Sequence, residues 1–176
     1  MIALKRLRPV WLVAALALCA AAPAPAPAGP AATAATWFMR GCVRFAAHPK
    51  ALRRWAAAKN LPKAPDKSAQ TYLFGLPGQV FIIPTATGPL ILVSEDSGSC
   101  SVIGSDIHGP ALLERLNAAL TAAGVTFTVT QDGPDPKAKS LQDRAYAARK
   151  GSARWLMLVS TVTDKAGGEA ILTSTP

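Results

Sequence analysis

Histidine is almost missing from this chain: only His48 and His108 occur in 176 residues. Acid–base and metal chemistry built on imidazole therefore has little to draw on, and the spacings it needs are missing too. No His-x-x-x-His or Cys-x-x-Cys occurs, so neither a zinc site nor a dithiol redox centre has a motif. No Gly-x-Ser-x-Gly elbow is present, and no glycine-rich loop runs into a helix to cradle phosphate. Ser105, Asp106 and His108 lie close in sequence, but triad members converge from separate elements, so adjacency is no argument for them. Ser105 or Asp106 reads instead as a turn or capping residue ahead of a helix. Asp106, His108 and Glu114 lack ligand spacing, and His48, before Pro49, reads as a loop residue at a helix junction. No catalytic residue, cofactor or metal ligand is therefore expected. An enzyme with dispersed residues around His108 or His48 is kept as the alternative.

Acidic residues are also scarce, 10 against 19 lysines and arginines, giving a formal charge of +9. Long apolar runs are missing as well. The uncharged stretch from Val10 to Ala22 falls short of the roughly 20 residues that span a bilayer. It follows the basic Lys5, Arg6 and Arg8 and ends in small residues, the pattern of a secretory signal over residues 1–22. Cleavage after Ala21 or after Ala28 both fit. Leu16-Ala17-Leu18-Cys19 is close to a lipobox, although Leu18 stands where Gly or Ala is normal. A lipidated Cys19 would make the protein membrane-anchored. Loss of the three leader cations leaves +6 on the mature chain. That charge suits an envelope protein or an anionic envelope component as partner, or plain solubility, and nucleic acid is not expected outside the cytoplasm. The expected location is the periplasm, or the envelope membrane if the anchor is used.

Removing Cys19 with the signal leaves Cys42 and Cys100. In an oxidising compartment two such cysteines pair, the alternative being two free buried thiols. Residues 23–35 alternate proline with alanine and then turn to Gly, Pro, Ala and Thr. They read as an extended, solvated spacer ahead of a single domain over residues 36–176.

Phe38, Cys42 and Phe45 recur at helical spacing. Pro49 starts a second helix with Leu52, Trp55 and Ala56 on one side, and Asn60 caps it. Gln79–Ile83 and Leu90–Ser94 are apolar on successive residues, which predicts cover on both faces. Ser99–Ile103 completes an antiparallel meander, with Cys100 and Val102 sharing a face. Leu112, Leu113, Leu116 and Leu120 define a third helix between Pro110 and Gly124. Strands follow at Val125–Thr130, Trp155–Val159 and Glu169–Thr173, with a weaker one at 141–149. Asp132–Pro136 and Asp164–Gly168 read as loops, and Lys150-Gly151-Ser152 as a hairpin turn. The fold class is thus α+β, an antiparallel sheet of six or seven strands with about three helices mainly on one face. Trp37, Trp55 and Trp155 sit on apolar stripes and read as core. Tyr146, among Arg144, Arg149 and Lys150, reads as surface-facing, and those four residues form the candidate contact patch.

The combination of Phe38-x-x-x-Cys42, a helix bearing Trp55-Ala56, a strand pair bounded by Gly and Pro, and Gly98-x-Cys100-x-Val102 resembles a family of short exported proteins of Gram-negative proteobacteria, uncharacterised in activity and some of them lipoproteins. The resemblance spans residues 36–176. It implies export and a paired Cys42–Cys100, and it implies no activity.

Overall fold

A computed structural model describes residues 29–162 and 168–176. The signal segment 1–22 with Cys19, residues 23–28 of the spacer, and all but the last residue of the 164–168 turn lie outside the described residues. Four helices and seven strands are present among those described, confirming an α+β fold with one helix more than expected.

Helix α1 (Pro30–Phe38) starts six residues before Thr36, where order was expected to begin. Pro30 is the last proline of the run, and proline is favoured in a first helical turn. The six residues after it are alanine and threonine, four of them alanine, the best helix former. Ala34, Ala35 and Phe38 are buried, so the end of the expected spacer belongs to the core. A π-helical turn over Met39–Val43 continues the helix and carries the buried Cys42. Helix α2 (Pro49–Ala58) buries Leu52 and Ala56, and Asn60 follows at φ +54, the left-handed geometry of a helix stop.

The sheet is antiparallel throughout, in the order β1-β2-β3-β7-β6-β5-β4. Strands β1 (Gly78–Ile83), β2 (Leu90–Glu95) and β3 (Cys100–Ile107) form the expected meander. Phe81, Ile83, Leu92 and Val102 face the main core, together with α1, α2 and α4 (Gly109–Ala122). The alternate residues Val80 and Val93 face the other way, against Ala64 and Leu73. Their cover is helix α3 (Asp66–Leu73), which the sequence reading missed. Successive apolar residues on β1 and β2 therefore do mark a two-sided environment. Arg53 on α2 ties that helix to the sheet by donating to the Ser94 carbonyl at 2.8 Å and pairing with Asp96.

Strands β4 (Thr126–Pro134), β5 (Leu141–Lys150) and β6 (Ala153–Val162) complete the sheet with β7 (Gly168–Thr175). The expected loop at Asp132–Pro134 is strand, because β4 is an edge strand and an edge tolerates a residue with no N–H to donate. Ser105 and Asp106 also lie in a strand, on the irregular end of β3 with Asp106 at φ +56. Neither caps α4, whose N-terminus at His108 has no side-chain cap. The 141–149 segment is a strand, and Gly151 at φ +59 supplies the left-handed residue its hairpin needs.

Cys42 and Cys100 are bonded, with Cα atoms 5.2 Å apart, and both are buried. The bridge joins the helical layer to an inward-facing position of β3, as their places on the two apolar stripes imply.

Candidate functional site

Strand alternation decides what the expected contact patch becomes. Arg144, Tyr146 and Ala148 project to the helix side of β5, whereas Arg149 projects to the opposite side. Tyr146 is fully buried, contrary to the surface position expected for it. Its ring meets Phe127 edge-on, with centroids 5.7 Å apart. An aromatic between charged neighbours in sequence was mistaken for an exposed one. Arg149 points to the other side of the strand, and Arg144 shares the side of Tyr146 but pairs with Asp132, so neither charge brings the ring to the surface. Arg144, Tyr146, Arg149 and Lys150 therefore do not form one patch, although Arg149 and Lys150 are exposed.

Two separate polar features replace it. On the inner side, Arg144 forms an ion pair with Asp132, directly opposite on β4. The hydrogen bond from Arg144 holds the Asp132 carboxyl below its ordinary value, against a smaller opposing effect of burial. Burial pushes the Tyr146 phenol up, and the nearby Arg144 guanidinium opposes that push. Tyr146 Oη and Arg144 Nε have no hydrogen-bond partner of normal geometry, and neither does Oδ1 of the buried Asp143. These atoms make β5 the strand with the most unsatisfied polar groups among the described residues.

The second feature lies at the end of the sheet, where β4, β5 and β6 meet Pro176. A concave region of about 380 Å³ opens there, within the 300–1,000 Å³ that small-molecule sites typically occupy. Ala147, Leu156, Thr126 and Thr128 share a side of the sheet with its two arginines, whereas Phe127, Ala148 and Trp155, also at its margin, turn to the helix side and the core. Arg149 and Arg154 frame it, directly opposite each other across the β5–β6 hairpin. Like charges in facing positions repel, and neither guanidinium meets a carboxylate among the described residues. No acidic residue lines the region. Trp155, on the core side, is 5 % exposed, so its unpaired indole N–H does not reach the arginines' side. The site thus offers donors and apolar surface with nothing negative to answer them.

Arg154 is the functional candidate that sequence reasoning passed over. A two-residue turn at Gly151-Ser152 puts residue 150 opposite 153 and 149 opposite 154, so the arginine pair follows from the hairpin register.

The histidines come to no such convergence. His48 is exposed, with Nδ1 2.6 Å from the Ala46 carbonyl. His108 is exposed at the start of α4. Among the described residues no carboxylate or nucleophile hydrogen-bonds either ring, and no cluster of three or more potential metal ligands occurs. Trp155 is core, while Trp37 and Trp55 are half-buried and pack against each other, centroids 5.8 Å apart. No described helix is long and apolar enough to cross a membrane.

No family model matches the chain, and no curated protein or solved structure matches it.

Proposed function

We propose that the chain is an exported, non-enzymatic binding domain of the periplasm, in keeping with the exported family it resembles. The observation that carries the binding half of this reading is the open site at the end of β4–β6, where Arg149 and Arg154 stand over apolar walls without a counter-charge. Export rests on the basic and apolar leader in residues 1–22 and is supported by the Cys42–Cys100 bridge, which an oxidising compartment favours. The enzymatic alternative would need His48 or His108 within hydrogen-bond reach of a carboxylate or nucleophile, and among the described residues neither ring has such a partner.

The test is expression of the full chain in a Gram-negative host, followed by fractionation and intact-mass measurement. The expected product starts beyond Cys19, lies in the soluble periplasmic fraction and lacks two thiol hydrogens. Recovery from the membrane with an acylated Cys19 would replace this location with the lipid-anchored alternative. An uncleaved cytoplasmic chain with free thiols would refute export altogether.

A further inference from the structure

We infer that the site between Arg149 and Arg154 takes an anionic amphiphile, a molecule with one carboxylate or phosphate head on an unbranched apolar chain. This deepens the binding reading above and rests on it. The argument begins with charge. Two guanidinium groups held opposite each other repel, and a native structure tolerates the pair most easily when an anion joins them. Arginine presents its donors as a planar fork that matches carboxylate and phosphate oxygens, and Thr126 and Thr128 add hydroxyl donors on the same rim. A small inorganic anion would use only that rim. Beyond the rim, the side of the sheet that carries the arginines is hydrocarbon: Leu156 with Ala147 opposite it, then Leu158 with Ala145 opposite it. Leu156 is 56 % and Leu158 38 % exposed, a continuous apolar strip on the side of β6 opposite the buried Trp155 and Met157. An alkyl chain lying along it would remove that surface from water. A cationic or zwitterionic ligand would meet the arginines with no acid to offset them, since none lines the site.

The experiment is calorimetric titration of the oxidised protein with decanoate, decyl phosphate and decanol, each below its micelle concentration. The two anions are expected to bind and decanol to bind at least 10-fold more weakly. Arg149→Gln with Arg154→Gln should weaken the anions by roughly 10- to 100-fold, the range of charge-assisted hydrogen bonds, and leave decanol unchanged. Both arginines are exposed and repel each other, so the double variant should keep the parent circular dichroism and melt no lower than the parent. Added salt should weaken the anions and spare decanol. Vesicles of an anionic phospholipid separate the two sources of such a head. Binding of monomeric decanoate without sedimentation on vesicles identifies a free amphiphile, and sedimentation that the double variant abolishes identifies a lipid in its bilayer. Equal affinity for decanol and decanoate would overturn the ligand class while leaving a binding site in place. No heat with any of the three would overturn both this inference and the binding reading of the site.

Discussion

Replacing Cys42 and Cys100 together by alanine removes a cross-link between residues 58 positions apart. In the chain-entropy description, closing a loop of that length stabilises the folded state by about 4 kcal/mol, because the open denatured chain regains the freedom the bridge withheld. For a domain of this size, a loss of that magnitude lowers the melting midpoint by roughly 10–15 °C. Alanine is preferred to serine because both positions are buried, Cys42 fully and Cys100 at 4 % exposure. A serine hydroxyl there would add its own cost as an unpaired buried group. The assay is urea unfolding followed by circular dichroism on three samples: oxidised parent, parent in strong reductant, and the Cys42→Ala, Cys100→Ala variant. The reduced parent keeps the volume of both sulfurs, so its distance from the oxidised parent isolates the cross-link. The further distance to the alanine variant measures lost packing. The denaturant slope should rise in both unbridged samples, since an uncrosslinked chain exposes more surface on unfolding. Oxidised and reduced parents within about 1 kcal/mol of each other would refute the reasoning. So would a native protein that mild reductant opens as fast as an unfolded one.

Gly78 sits where an added Cβ would lie 2.7 Å from the Ser94 carbonyl, the acceptor that Arg53 uses to hold α2 to the sheet. Gly78→Ala should cost about 1–3 kcal/mol, read as a lower urea midpoint. Phe74 is 89 % exposed and left-handed at φ +51. Phe74→Gly removes backbone strain and no core contact, so it should stabilise by about 0.5–1 kcal/mol in the same assay. Asp132 has a folded pKa below its unfolded one, so its contribution is present above the unfolded value and fades as pH falls through the folded value. Asp132→Asn should therefore lower stability at neutral pH and converge on the parent at strongly acid pH, as measured by melting midpoints across a pH series.

Much of the fold was legible because its cues are local and strong. Pro49 and Pro110 in first turns, Asn60 and Gly124 as stops, and the leucine stripe of α4 each fix an element without help from the rest of the chain. Helix α3 was not legible, since only Ala69, Tyr72 and Leu73 of its eight residues are apolar and prolines stand just before it. Yet its presence was written elsewhere, in the double-sided apolar pattern of β1 and β2 that required something to cover Val80 and Val93. Composition misled at Asp132–Pro134, where Gly and Pro signal a loop until the segment is known to be an edge. The candidate site divides the same way. Arg149 was named, but Arg154 enters only when the hairpin is paired residue by residue, and Tyr146 is removed by the same counting.

The place of β7 governs the order in which the sheet can assemble. It is the last strand in the chain, yet it lies at the centre, between β3 and β6. Without it, β1–β3 and β4–β6 are two separate three-stranded pieces with no pairing between them. β7 pairs with β6 as a local hairpin, but every pair it makes with β3 spans a long stretch of sequence, and such topologies fold slowly. The residue of β7 beside Cys100 is Ser174, near the end of the chain. The Cys42–Cys100 bridge involves no residue of β4–β7, so it can close before β7 docks on β3, leaving a cross-linked but unfinished sheet until that strand arrives.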